Sequence, residues 1–243
     1  MINDGFSVIF PAAGTGSRFG SGDKLLTHIG GVTVLQRAVA LFTGRRDVIE
    51  VLVVTATERF DTYRKLLANI PADKPLRLVP GGTARWESVL HGLRAASTTS
   101  KYVAVHDAAR PLTPAAVIDA AFAAARLAGA GIPVVAEPAT LKRVTDSNRI
   151  VSTVSRQGVF QAQTPQCFKR EALLAAYETL LDAGRLQDIT DDAMVFELAG
   201  LPVAATPGSP VNIKLTTKED LLLAEALARI TQPLTASLEL HHL

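Results

Sequence analysis

Cysteine is almost absent. Cys167 is the one such residue in 243, which excludes an intrachain disulfide and a cysteine-rich zinc site. A reducing compartment fits that usage. Aromatic residues are scarce at 5%, with a single tryptophan, while 48% of the chain is apolar and dominated by Ala, Val and Leu. That balance suits helices packed on a buried parallel sheet better than a β-sandwich. Neither sign of charge dominates, with 25 Lys and Arg against 23 Asp and Glu for a net charge of +2. The basic residues are spread along the chain rather than gathered into the stripe of a duplex binder, so no nucleic-acid partner is expected. No run of about 18 apolar residues is present, so no membrane span is expected. The start Met1-Ile2-Asn3-Asp4 has neither the basic opening nor the long apolar stretch of a secretory signal. The expected location is the cytoplasm.

What the chain does contain is an alternation of short apolar runs with helical patterns. Phe6–Phe10, Ile49–Val54, Leu76–Val79, Tyr102–His106 and Ile132–Val135 read as strands. Val34–Phe42, Phe60–Ala68, Ala84–Ala95 and Ala115–Leu127 carry helical apolar spacing. The order implies parallel βαβ units with right-handed crossovers and a ligand beyond the carboxyl ends of the strands. The loops after Phe10, Val79 and His106 are therefore the places for chemistry. Between 139 and 156 the pattern changes to strand, turn and strand, a hairpin that is marginal alone in water. A second subunit covering it is favoured over a mobile surface flap. Asn212–Leu215 reads as a last strand leading into a helix at Lys218–Ile230, capped by Thr216 or Thr217. Residues 231–243 read as a tail in which His241 and His242 are not metal ligands. With neither repeats nor linkers, residues 1–230 are expected to form a single domain.

Pro11-Ala12-Ala13-Gly14-Thr15-Gly16-Ser17-Arg18-Phe19-Gly20 follows the first strand directly. Glycines bring backbone N–H groups close to an anion, small Ala12 and Ala13 leave room for a base or sugar, and Arg18 and Lys24 add positive charge. A dinucleotide fingerprint is excluded because Phe19 stands where its third glycine belongs. A P-loop is excluded because Lys24 lies between Asp23 and Leu25. Gly81 and Gly82 precede a helix start, a second anion or base-edge site, with Thr83 as N-cap in the plainer reading. Asp107 at a strand end suits Mg²⁺, or else caps the next turn, and Arg110 can clamp a phosphate. His106 reads as a satisfied strand-end histidine, Trp86 as packing and Cys167 as a small buried residue. Asp191 and Asp192 read as a helix start.

In this order the motifs Pro-Ala-Ala-Gly-x-Gly-x-Arg at 11–18, Gly-Gly-x-x-Arg-x-x-Ser-Val at 81–89 and His-Asp-Ala-Ala-Arg-Pro at 106–111 resemble a known family. Thr140-Leu141-Lys142, Arg156, Thr164-Pro165-Gln166 and Asn212-Ile213-Lys214 extend the match. The family is the 2-C-methyl-D-erythritol 4-phosphate cytidylyltransferases of the non-mevalonate isoprenoid pathway. The resemblance implies an α/β, three-layer α/β/α Rossmann-like nucleotidyltransferase fold with a mostly parallel sheet and a projecting β-hairpin arm. It implies CTP and methylerythritol phosphate as substrates, Mg²⁺ as cofactor, and a homodimer formed through the arm. By the same resemblance Arg18, Lys24, Arg156 and Lys214 are catalytic. Pro11, Ala12, Ala13, Gly14, Thr15, Gly16, Gly81, Gly82, Arg85 and Ser88 hold CTP. Asp107, Ala108, Arg110, Thr140, Arg156 and Lys214 hold the acceptor, with Asp107 binding the metal and Thr140 and Arg156 acting in trans.

Three departures from the family pattern stand out. Asp23 replaces the usual proline before the loop lysine, in a loop one residue shorter between Arg18 and Lys24. Ala139 and Ser155 replace acidic residues before Thr140 and Arg156. Asp23 beside Lys24 suggests a carboxylate that restrains the lysine until Mg²⁺·CTP binds. The alternatives are a ribitol 5-phosphate cytidylyltransferase, disfavoured by Pro11-Ala12-Ala13 and Thr140-Leu141-Lys142, and a non-catalytic nucleotide-binding protein, disfavoured by the presence of Arg18 and Lys24.

Overall fold

The computed structural model describes residues 3–14 and 23–231. Strand β1 (Asn3–Pro11) is followed, past the first loop, by a small ribbon of β2 (His28–Ile29) and β3 (Val32–Thr33) and by helix α1 (Val34–Thr43). Thr33 caps α1 by accepting from the Gln36 N–H, while Gln36 Oε1 accepts from the Thr33 N–H, a reciprocal capping box. Then come β4 (Val48–Thr55), α2 (Phe60–Leu67), β5 (Leu76–Pro80), α3 (Arg85–Ala95), β6 (Ser100–Val105), α4 (Ala115–Ala128) and β7 (Ala130–Ala136). Gly129, left-handed at φ 88°, ends α4 and lets the chain turn at once into β7. The arm is β8 (Leu141–Val144) and β9 (Ile150–Val154). After it lie β10 (Phe160–Ala162), β11 (Gln166–Lys169), α5 (Arg170–Asp182), α6 (Asp192–Leu198), β12 (Ala204–Pro207) and α7 (Lys218–Thr231).

Eight strands form one mixed sheet in the order β10-β7-β11-β6-β1-β4-β5, with β12 also pairing β7. Pairs β6–β1, β1–β4, β4–β5 and β7–β12 are parallel; β11 and β10 run antiparallel to their neighbours. Side chains alternate across the pleat into two cores. Phe6, Val8, Phe10, Val51, Val53 and Ala104 face α1, α2, α4 and α7. Ile9, Leu52, Val54, Val103 and Val105 face α3, α5 and α6. This is the expected three-layer α/β/α arrangement, and the arm β8–β9 stands apart from the sheet as its own two-stranded ribbon.

β1 sits at the switch point: the chain leaves it toward β4 and β5 on one side, then returns to β6 on the other. The loops after β1, β5 and β6 open at one edge, the place where ligands bind in such sheets. Two expectations need correction. Asn212–Leu215 is not a strand; its Leu215 N–H donates to the Ala109 carbonyl at 2.9 Å and its Asn212 side chain is buried in hydrogen bonds, so no ladder forms. The added strand is Ala204–Pro207 instead. Thr83 does not cap α3: the Glu87 carboxylate reaches back to accept from the Thr83 and Ala84 N–H groups at 2.6 and 3.1 Å. The cap at the final helix is Thr217, whose Oγ accepts from the Asp220 N–H.

α3 lies so close to the sheet that a Cβ on Gly92 would fall 2.5 Å from Ile9 Cγ2 and 3.1 Å from Val54 Cγ2. Gly92→Ala gains up to about 1 kcal/mol of helix propensity but incurs an overpacking cost of about 1–3 kcal/mol. Urea unfolding should show a net loss of stability. A more stable variant would mean that the helix can shift off the sheet.

Candidate active site

The end of β1 is bound to its neighbour through the Ala12 N–H, which donates to the Val54 carbonyl at 2.7 Å. The Gly81 N–H does the same to the Thr55 carbonyl at 2.9 Å, so the first and second loops meet side by side. A Cβ on Gly81 would sit 2.6 Å from Ala13 Cβ and 3.1 Å from Ser88 Oγ. Glycine at 81 and alanine at 13 are therefore matched by contact. Ser88, buried in the first turns of α3, accepts from the Gly82 N–H at 3.1 Å and fixes the second glycine.

At the end of β6 the Asp107 carboxylate lies buried among three cations. Lys214 Nζ is 2.9 Å away, Arg110 Nε 3.5 Å and Arg85 Nε 3.7 Å. Burial opposes its ionisation, but Lys214, Arg85 and Arg110 outweigh burial and hold the carboxyl well below the usual carboxylate range. The cations are braced from behind. Arg110 Nη1 donates to the Asn212 carbonyl at 2.5 Å. Arg85 Nη2 donates to Asp192 at 2.7 Å, and Asp192 also accepts from the Tyr177 hydroxyl at 2.7 Å. Burial lowers the affinity of Arg85 for its proton, and Asp192 and Asp107 reverse that effect, so the guanidinium stays charged. Lys24 Nζ enters from the first loop and donates to the Leu215 carbonyl at 3.1 Å, beside Lys214.

Pro11, Ala12, Ala13, Gly14, Lys24, Gly82, Arg85, Ser88, Asp107, Ala108 and Lys214 line this one cleft. Lys214 also lines an adjoining cleft with Arg110. Lys24, Arg85 and Lys214 against Asp107 give the lining of the first cleft three positive charges and one negative, a net of +2. Such a cleft attracts a polyanion. Thr15, Gly16 and Arg18 lie outside the described residues. Thr140 and Arg156 are exposed at the arm and line neither cleft; the Arg156 guanidinium donates to the Pro138 carbonyl. Asp23 does not restrain Lys24 as expected: its carboxylate accepts from the Leu25 N–H and the Tyr63 hydroxyl instead. Among the described residues no group of three or more His, Cys, Asp or Glu is arranged around a metal position.

Thr164 and Gln166 had no assigned role on sequence grounds, and Asp192 was read only as part of a helix start, where it does lie. Thr164 Oγ accepts from the Asp107 N–H at 3.0 Å. Gln166 Oε1 accepts from the N–H groups of Asp192 and Ala193 at 2.9 and 3.0 Å. The Thr164-Pro165-Gln166 motif thus supports both carboxylates that hold Arg85. Asp191, one residue earlier, is the helix cap, accepting from the Met194 N–H.

His106 is a satisfied strand-end residue, as expected. With the ring neutral, its Nε2–H donates to the Arg110 carbonyl at 3.1 Å and its Nδ1 accepts from the Thr164 hydroxyl at 3.0 Å. Burial pulls its pKa from 6.5 to about 4, against the Arg110 carbonyl and Asp107. With the folded pKa depressed, the unfolded chain takes up this proton first. The stability is complete above pH 6.5 and is lost as pH falls from there toward about 4. In nucleotide- and metal-free buffer, lowering pH from 7 to 5 should remove about 2 kcal/mol of unfolding free energy through this group. Urea titrations of wild type and His106→Gln check this: the variant should show the shallower pH slope, and equal slopes would exonerate the histidine.

A family model described as 2-C-methyl-D-erythritol 4-phosphate cytidylyltransferase matches residues 6–230. A protein of that description from Rhodopirellula baltica is 38% identical, over 91% of this chain and 93% of its own. A bifunctional enzyme IspD/IspF from a Bradyrhizobium species is 41% identical over 93% of this chain, which spans only 57% of that longer relative. The crystal structure of a 2-C-methyl-D-erythritol 4-phosphate cytidylyltransferase from Thermus thermophilus superposes with a TM-score of 0.76 at 34% identity, covering 93% of this chain and 99% of that one.

Proposed function

The chain belongs to the 2-C-methyl-D-erythritol 4-phosphate cytidylyltransferase family, and from that premise we propose that it transfers CMP from CTP to 2-C-methyl-D-erythritol 4-phosphate. The products are 4-diphosphocytidyl-2-C-methyl-D-erythritol and pyrophosphate. The observation that carries the reading is the convergence of Lys24, Arg85, Arg110 and Lys214 on one strand edge around Asp107. The acceptor's phosphate oxygen attacks the α-phosphorus of CTP in line, and pyrophosphate leaves with its bonding electrons. No covalent enzyme intermediate is needed, so positioning and charge neutralisation supply the catalysis. Lys24, with Arg18, neutralises the five-coordinate phosphorus. Pro11, Ala12, Ala13, Gly14, Thr15, Gly16, Gly81, Gly82, Arg85 and Ser88 hold the nucleotide. Asp107, Ala108, Arg110 and Lys214 receive the acceptor.

Mg²⁺ fits the donor set: a lone, firmly ionised carboxylate in the cleft is what this ion uses alongside substrate phosphates and water. Asp107 would hold it, and it would supply positive charge to offset that of the phosphates. Lys214, which pairs with Asp107 and lines both clefts, would meet a phosphate oxygen of the acceptor. No helix among the described residues is long and apolar enough to cross a membrane, and the reaction belongs to the cytoplasm, with neither nucleic acid nor membrane as partner.

Pyrophosphate release from CTP and Mg²⁺ should depend on methylerythritol phosphate, and release only with ribitol 5-phosphate would replace this reading. Lys24→Ala should lower turnover about 100- to 1,000-fold while weakening CTP binding far less. Unchanged turnover would remove Lys24 from the chemistry.

The arm supports a homodimer. Val144, Ile150 and Val151 on the ribbon, and Phe160 in the strand after it, are all half or more exposed, apolar side chains that a ribbon marginal on its own leaves uncovered. In this assembly Thr140 and Arg156 act on the acceptor phosphate in the partner's cleft. Mixing inactive Lys24→Ala with inactive Arg156→Ala should then restore activity, because one of the two sites in the mixed dimer has both residues intact. Restoration absent from a verified mixed dimer would place Arg156 in cis or outside the mechanism.

A further inference from the structure

The first loop is described from Ala12 to Gly14 and again from Asp23, and three side chains outside the cleft connect those two stretches. The Arg59 guanidinium, at the start of α2, donates through Nη1 to the carbonyls of Ala12 at 3.1 Å and Gly14 at 3.2 Å. Its Nε faces Asp23 Oδ2 at 3.6 Å. The same Asp23 oxygen accepts from the Tyr63 hydroxyl at 2.7 Å. Its other oxygen accepts from the Leu25 N–H at 3.0 Å and caps the short 3-10 turn Lys24–Leu26. Tyr63 is fully buried in the core that also takes up Leu25. One guanidinium therefore bonds to the outgoing end of the loop and pairs with its returning end, and one buried hydroxyl refers both to rigid packing.

We propose that Asp23, Arg59 and Tyr63 form a clasp that closes the nucleotide loop at its base and sets where Lys24 enters the cleft. These are positioning residues for the cytidylyl transfer, and the proposal rests on that reading of the cleft. The physical case is about leverage. A lysine ammonium rides on four rotatable bonds and lands in place only if its Cα is held. Asp23 holds it by capping the turn that Lys24 begins, while Leu25 is sunk in the core on the far side. Arg59 is the only cation that touches this carboxylate among the described residues, so the ion pair ties the turn to the Ala12–Gly14 backbone against which CTP would lie. A displacement of about 1 Å at a reacting charge costs on the order of 100-fold in rate. Loss of the clasp should act on turnover more than on nucleotide affinity, because the clasp bears directly on the turn that carries Lys24, the cation assigned to the transition state.

The test uses the full chain with Asp23→Ala, Arg59→Gln, Tyr63→Phe and the double Asp23→Ala/Tyr63→Phe. Tyr63→Phe keeps the ring in the core, which guards against simple unfolding. Each variant should keep its urea midpoint near wild type and its KM for CTP within about threefold, while kcat falls about 10- to 100-fold. The double variant should be no slower than Asp23→Ala, since the two groups act as one unit. Without nucleotide, trypsin should nick Asp23→Ala between residues 15 and 25 about tenfold faster than wild type, the expected effect of losing local hydrogen bonds. Wild-type kcat in Asp23→Ala and Tyr63→Phe overturns the proposal, as does a loss of rate carried entirely by KM. Nicking needs no substrate. A chain that nicks as stated but transfers no cytidylyl group would therefore sink the functional reading alone, and active enzyme with unchanged nicking would sink the clasp alone.

Discussion

A single buried carboxylate organises the cleft. Asp107 ends β6 with its side chain almost out of water, and an isolated charge there would be severely destabilising. It is tolerated because Lys214, Arg110 and Arg85 surround it, from segments more than a hundred residues apart at the extremes. The dependence runs both ways. Three cations this close would repel one another without the carboxylate, and each is oriented further by its own brace, Asn212 for Arg110 and Asp192 for Arg85. The result is a set of positive charges already gathered before any anion arrives. Preorganisation of that kind is what lets an enzyme stabilise a transition state without reorganising at the moment of reaction.

The fold supplies the positions. Parallel strands β4, β1 and β6 end at one edge, so the loops that follow β1 and β6 must face each other across the switch point. Antiparallel β11 brings Thr164 and Gln166 beneath them, where Thr164 holds the Asp107 backbone and the His106 ring together. The neutral histidine is thus a structural tie between a strand end and the Arg110 turn, and its cost appears only in acid.

The central strands were legible because each is an unbroken apolar run buried on both faces, as in Val51–Val54 and Tyr102–Val105. β11 was not, because Gln166-Cys167-Phe168-Lys169 is short and half polar, and its conformation is set by pairing with Val103–Val105 far away in sequence. Asn212–Leu215 misled in the opposite direction. Ile213 and Leu215 pack on the core with an alternation that mimics a strand, while the backbone bonds to loop carbonyls. Neighbouring aspartates show the limit for site residues. Asp191 caps a helix and Asp192 braces Arg85, a division decided by one step of φ and ψ and a buried tyrosine that no local pattern announces. Of the cations in the family motifs, Lys24, Arg85, Arg110 and Lys214 line the two adjoining clefts, Arg156 stands out on the arm and Arg18 is outside the described residues; the motifs were silent on which groups hold them.

Asp23 carries the same lesson into the first loop. Adjacency to Lys24 suggested an ion pair between them, yet neighbouring side chains on a tight turn diverge, and the carboxylate turns to Tyr63, Arg59 and its own cap. A proline at that position stiffens φ and nothing else. An aspartate leaves φ free but couples the turn to a buried hydroxyl and to the strand end beyond it. The two solutions differ in what they stabilise: the first restrains one residue, whereas the second ties the loop's exit to its entrance. The tie at the described base of the loop joins the Ala12–Gly14 backbone to the turn that carries Lys24, so the restraint reaches the lysine through the backbone rather than through its ammonium.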